Sequence, residues 1–293
     1  MEGSEIKDNN PGAPEVFEEY WGKMENHLRS RYSEGNILRY NEYTMYLLNT
    51  LIEELTSQNS AYHAVELGCG RGDSSLFFAK RGWQTVLVDL SEVVLHIAKQ
   101  NFIDQGLSCL RVKADIRNTP FNESEFDVVM NYGVLEHFKD PTDPLAEMFR
   151  ILKPGGMLFA TVVYTKRINL QTLVDWLYHI PGTFIMNLFI KRRPKMALKY
   201  IKGYLGFNDE LYENELNLED YLSIMEKIGL SQFHIMPFVT IPYLRLPSYF
   251  EKLYVGLIRA YCRVKRRVTK RHPLCAVWGG RRQWLIYGRK PSL

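Results

Sequence analysis

Between residues 61 and 163 the chain alternates short apolar runs with stretches of helical periodicity, and that alternation leaves few folds open to it. The runs are Ala64–Leu67, Thr85–Val88, Cys109–Val112, Phe126–Met130 and Met157–Val163. They are apolar at nearly every position rather than at every second one, the pattern of parallel strands buried on both faces. Strand and helix in alternation predict an α/β fold with a doubly wound sheet and helices on both faces. After Val163 the alternation lapses. A helix at Leu218–Ile228 and strands at Phe233–Val239 and Gln283–Tyr287 then resume it.

The chain has 293 residues, more than a typical domain of roughly 100–200 but few for two, so one elaborated domain is expected. A hydrophobic fraction of 46% with 24% charged residues excludes a disordered or fibrous chain. Cys69, Cys109, Cys262 and Cys275 are too scattered for a disulfide scaffold or a CxxC zinc site. No metal is therefore expected, and a reduced, cytoplasmic protein is. Residues 1–14 are polar and acidic without an apolar core, so they read as a disordered lead-in rather than a signal or transit peptide. Residues 15–56 read as two helices broken near Ser33–Asn36, and residues 57–293 as the main domain.

The net charge of +4 conceals a segregation. Residues 1–165 carry 15 Lys+Arg against 24 Asp+Glu, whereas residues 166–206 carry 8 against 1 and residues 245–293 carry 13 against 1. The basic charge thus sits in two insertions, at about 165–215 and 241–282. In the first, the uncharged stretch Trp176–Ile190 precedes Lys191-Arg192-Arg193. It is too short to span a bilayer, and Pro181-Gly182 is expected to break a helix there. In the second, residues 250–268 place apolar side chains at helical spacing with Arg259, Arg263, Lys265, Arg266 and Arg267 among them, an amphipathic helix with a basic end. Such segments suit an anionic membrane surface, which would leave the protein cytoplasmic and peripherally bound. A cap over a pocket, with a basic outer face, fits them too, since amphipathic helices usually face a core. Nucleic acid is disfavoured because no recognition module accompanies the charge.

The first strand runs into Glu66-Leu67-Gly68-Cys69-Gly70-Arg71-Gly72-Asp73 and then a helix. Glycines at such a turn let backbone approach a ligand, though they also serve packing. The spacing is GxGxG rather than GxGxxG, and Glu66 would repel a pyrophosphate while suiting an ammonium or sulfonium group. Strand two ends in Val88-Asp89-Leu90-Ser91, where Asp89 can accept from two vicinal hydroxyls, as ribose recognition requires. Capping the next helix is the other role open to Asp89, and Ser91 serves that at least as well. Strand three ends in Ala114-Asp115-Ile116, a carboxylate and an N–H suited to an adenine edge.

These segments, with Phe126–His137 and Leu152-Lys153-Pro154-Gly155-Gly156, resemble the ordered motifs of class I S-adenosylmethionine-dependent methyltransferases over residues 60–165. The resemblance implies S-adenosylmethionine as cofactor and a Rossmann-like, seven-stranded, mostly parallel sheet with an antiparallel last pair. It implies that Glu66 and the backbone of Gly68, Cys69 and Gly70 hold the methionine part, Asp89 with Leu90 the ribose, and Asp115 with Ile116 the adenine. Asn131, Tyr132 and Gly133 would line the methionine and sulfonium end. Residues 15–56, with Tyr20, Trp21, His27, Arg29 and Arg31, would form a helical lid, or else a solvated helix docked on the core. The acceptor would be a small aromatic or lipophilic O- or N-nucleophile. Methylation of tRNA or protein, and a noncatalytic cofactor-binding regulator, are the alternatives. His137 is the candidate general base, beside the reading that it only supports the pocket, with His27 and Tyr132 behind it.

Overall fold

A computed structural model describes residues 40–56, 62–163, 216–230, 232–238, 248–270 and 283–292, with shorter pieces at 17–18, 21, 177, 180–185, 192, 194–195, 214, 244, 246 and 272. Seven strands are present: β1 His63–Leu67, β2 Gln84–Asp89, β3 Leu110–Lys113, β4 Phe126–Tyr132, β5 Leu152–Val163, β6 Gln232–Phe238 and β7 Gln283–Arg289. They form one sheet in the order β3-β2-β1-β4-β5-β7-β6. All pairings are parallel except those of β7, which runs antiparallel to β5 and β6. The doubly wound, seven-stranded α/β fold expected from the sequence is the one observed.

Side chains alternate across this sheet. Ala64, Val128, Met130 and Phe159 point to one face, covered by helices α1 (Tyr40–Leu55), α2 (Asp73–Ala79) and α7 (Ser248–Thr269). Val65, Val129, Leu158 and Ala160 point to the other, covered by α4 (Thr142–Ile151) and α6 (Leu218–Lys227). Both faces are therefore buried, which is why the strands read as unbroken apolar runs. Helix α3 (Glu92–Ile103) packs Val94, Leu95, Ala98 and Phe102 against Leu87 and Leu76.

Most strand ends differ from the sequence reading by one or two residues, and two larger differences have a physical reason. Strand β5 begins at Leu152 rather than Met157, because Leu152 pairs Phe126 before a register shift carries Val128 to Met157. Helix α5 (Ile180–Ile185) contains the Pro181-Gly182 that was expected to break it. Proline in a first turn removes an N–H that has no intrahelical partner anyway, so it starts this helix instead of ending one. The lead-in at 1–14, the break near Ser33–Asn36, His27, and most of the insertion at 165–215 lie outside the described residues.

The chain leaves β1 for β2 and β3 on one side, then returns to β4 on the other. Open α/β sheets bind ligands in the crevice at such a reversal, beyond the carboxyl ends of the strands.

Candidate cofactor site at the carboxyl edge of the sheet

A cavity of about 370 Å³ opens at that reversal, between the ends of β1, β2 and β4. Of the residues singled out from the sequence, Glu66, Gly68, Cys69, Gly70, Asp89, Leu90, Ile116, Tyr132, Gly133 and His137 line it.

The turn after β1 is folded onto β2, with the Gly68 and Cys69 N–H groups donating to the Val88 carbonyl at 2.8 and 2.9 Å. Gly68 has φ +71°, and a Cβ there would lie 2.5 Å from the Val134 Cγ2 methyl. Gly68→Ala should therefore cost about 2 kcal/mol of stability from left-handed strain and overlap together. Urea denaturation measures it, and a loss under about 0.5 kcal/mol would mean that the turn relaxes freely.

Asp89 is buried at the end of β2, where Oδ2 accepts from the Gly70 N–H at 3.1 Å and Oδ1 from the Ser91 N–H at 3.0 Å. The cap of α3 is Ser91, whose Oγ accepts from the Val94 N–H at 3.3 Å, so Asp89 is not spent on that helix. Glu66 is buried behind the loop and accepts from the Ser75 N–H at 3.0 Å and the Ser75 hydroxyl at 2.5 Å, both on Oε2. Burial pushes its carboxyl up to about 8, against the Ser75 bonds, which pull it down. Burial likewise raises Asp89 to about 6, and the neighbouring Glu18 adds to the effect.

Three carboxylates, Glu66, Asp73 and Asp89, thus line the cavity, and Arg71, the one Lys or Arg among the described lining residues, is paired with Asp73. Asp73 Oδ1 and the Tyr132 hydroxyl are buried at this lining without a hydrogen-bond partner. Such a wall suits a cationic ligand carrying hydroxyl and amino donors, and repels a pyrophosphate. Burial pushes the Tyr132 phenol well above its ordinary value, which makes it a proton donor rather than a base. The apolar part of the wall comes from Phe17, Trp21, Met45, Val134 and Phe138.

Two expected residues are not in the lining. Asp115 turns to Arg117, whose Nε donates at 3.0 Å to each carboxylate oxygen and whose second nitrogen donates at 2.5 Å. Burial pushes the Asp115 carboxyl up, but those bonds more than offset it and hold it below its ordinary value. Asn131 is fully buried, and its Nδ2 donates to the Leu67 carbonyl at 2.8 Å, tying β4 to β1 beneath the cavity.

His137 closes the short 3-10 turn Leu135–His137 after β4, and its ring meets Phe17 edge-on at 5.9 Å. That turn is held by a residue the sequence reading passed over. Asn214 donates from Nδ2 to the Leu135 and Phe138 carbonyls at 3.1 and 2.9 Å, and its N–H donates to the Glu136 carbonyl at 2.6 Å. No local signal marked Asn214. Asp73, by contrast, directly follows the glycine loop, and its position there was a readable signal.

A family model described as a methyltransferase domain matches residues 65–160. The ubiquinone biosynthesis O-methyltransferase of Coxiella burnetii is 30% identical over 130 residues, which are 44% of this chain and 53% of that protein. The chain spans about half the length of the curated relatives it matches. Among solved structures, an S-adenosylmethionine-dependent methyltransferase of Thermotoga maritima, titled a possible histamine N-methyltransferase, superposes with a TM-score of 0.51 at 16% identity. That match covers 95% of this chain and 100% of the other. The [4+2]-cyclase SpnF superposes with a TM-score of 0.53 at 17% identity, covering 95% of this chain and 93% of its own. Identities this low speak to the fold alone.

Proposed function

We propose that this chain, whose residues 65–160 form a methyltransferase domain of the class I S-adenosylmethionine-dependent family, binds that cofactor at the carboxyl edge of its sheet and methylates an O- or N-nucleophile of a small aromatic or lipophilic acceptor. The observation that carries the reading is the acid-lined cavity, with Asp89 anchored between the glycine loop and Ser91. The buried carboxylates fit a ligand bearing an ammonium and a sulfonium, and Asp89 retains lone pairs for two ribose hydroxyls.

When bound, the cofactor supplies a methyl group on a positively charged sulfur that departs with the electrons of the broken C–S bond. The protein's share is alignment of the acceptor and exclusion of water. Trp21, Phe17 and Met45 wall the cavity against solvent, which supports the lid role of residues 15–56. Ile116 offers an apolar face to the adenine ring, while the pairing of Asp115 with Arg117 leaves the Ile116 side of that turn to meet it. His137, in the cavity lining on the turn after β4, accepts the proton the acceptor loses. The apolar wall and the name of the Coxiella burnetii relative both favour an O-nucleophile on a lipophilic molecule.

Calorimetric titration with S-adenosylhomocysteine tests the reading. Micromolar binding is expected, and absence of heat or thermal stabilisation at millimolar ligand would sink it. The raised carboxyls give this titration a pH signature. A cation placed beside Glu66 lowers its pKa, so binding releases a proton near pH 7, and affinity rises with pH by up to about tenfold per unit below pH 8. The ligand-free protein goes the other way, losing stability as pH rises from about 4.5 through 8, because Glu66 ionises in the unfolded chain over that window while the buried acid stays protonated. Titrations in buffers of different ionisation enthalpy count the proton. Proton uptake, or an affinity flat from pH 6 to 8, would remove Glu66 from the site.

A further inference from the structure

We infer that α7 docks the protein on an anionic lipid surface, lying in the plane of the membrane with its outward apolar stripe among the acyl chains and its basic flank on the headgroups.

Helix α7 has two apolar faces, and the core accounts for one. Val255, Ile258 and Cys262 are buried against Tyr43, Leu47 and their neighbours on α1. A second row, Phe250, Leu253, Leu257, Tyr261, Val264 and Val268, recurs at steps of three or four residues and so forms a continuous stripe along the helix. These six are 51–76% exposed, so the stripe is directed away from the core along nearly the whole helix. A contiguous row of large exposed apolar side chains marks an interaction surface rather than scattered surface residues.

Charge names the partner. Lys252, Arg263, Arg266 and Arg267 are exposed along the same helix, Lys270 follows directly after it, and the sole acid in the helix is Glu251. Arg266 reaches Glu54 on α1, and the others extend the positive flank beside the stripe. Three to four residues per turn place Lys252, Arg263 and Arg266 between the buried face and the stripe. A nucleic acid would satisfy the cations but offers no hydrocarbon for Leu253, Leu257 and Val264. An anionic bilayer supplies both at once, since the headgroups meet Lys and Arg at the depth where acyl chains begin. None of the helices in the described residues is long and apolar enough to cross a membrane, and α7 with its four exposed cations suits the interface plane instead.

The test uses the full chain, sedimented with large vesicles of phosphatidylcholine alone or of phosphatidylcholine mixed with phosphatidylglycerol, at low and at molar salt. Binding is expected on the mixed vesicles at low salt, weaker by about tenfold or more on neutral vesicles and in molar salt. The pair Leu257→Glu with Val264→Glu should abolish it, and Arg263→Glu with Arg267→Glu should weaken it by about tenfold or more. All four side chains are exposed, so the circular dichroism spectrum and thermal midpoint should stay with the parent. Failure to pellet at low salt overturns the inference, as does equal binding to neutral vesicles. So does lipid binding unchanged in the folded variants. A stripe-dependent dimer that binds no vesicles, or capture of tRNA that the Leu257/Val264 pair leaves intact, would assign the face to another partner.

Discussion

Asp89→Ala should weaken S-adenosylhomocysteine binding by about a hundredfold or more. Two hydroxyl donors to a buried carboxylate are each worth about 1.5–3 kcal/mol when the acceptor is charged, and about 1.4 kcal/mol is a factor of ten. The substitution also strips an acceptor from the Gly70 and Ser91 N–H groups, so the turn after β1 loosens along with the ribose anchor. Asp89→Asn separates the two effects. It keeps a carbonyl oxygen for one of the two N–H groups and turns a donor NH2 to the other, so it should recover only part of the thermal midpoint of the ligand-free protein and little affinity. Calorimetry on both variants decides. An affinity within a factor of two or so of the parent in Asp89→Ala, which is less than the ~1 kcal/mol a single neutral hydrogen bond contributes, would place the ribose elsewhere.

His137→Gln should lower turnover by about a hundred- to ten-thousandfold, the usual range for loss of a positioned base, and leave cofactor affinity near that of the parent. Glutamine keeps a polar head of similar reach but cannot take a proton. His137 lies on the cavity lining against Phe17, on a turn separate from the glycine loop and Asp89. Single-turnover rates with saturating acceptor read the loss directly. Should binding fall while the single-turnover rate holds, His137 serves as pocket wall and the acceptor loses its proton to water.

The sheet was readable in advance because burial on both faces imposes a pattern that survives in one dimension. Val65 and Val129 face α4 and α6 while Ala64 and Val128 face α1 and α7, so nearly every position in the run is apolar. The glycine loop and Asp89 were readable for a related reason: a ligand gripped by backbone and strand ends needs particular residues at fixed offsets from the strands. Asp115 shows where that logic stops. Its offset suits an adenine, yet Arg117 two residues on takes both oxygens, a competition that spacing alone does not display. Lys153 and Asp127, both within the motifs that carried the resemblance, are bonded to each other at 2.8 Å where β4 starts and β5 begins, far from the carboxyl edge. Their part is to fix the sheet. The apolar wall was legible only at Trp21, named within the lid; Phe17 and Met45 reach the cavity from chain segments whose own periodicity says only that they are helical.

Asn214 has a consequence for how such a chain can change. Three of its hydrogen bonds pin the turn bearing His137, and α6 begins four residues later. The long connection that leaves β5 must therefore return to one fixed anchorage before the fold resumes. Lengthening a loop between fixed ends is cheap, about 0.6 kcal/mol for each doubling. Upstream of that anchorage the connection is free to be rewritten for a different acceptor, while the imidazole stays where the strands left it.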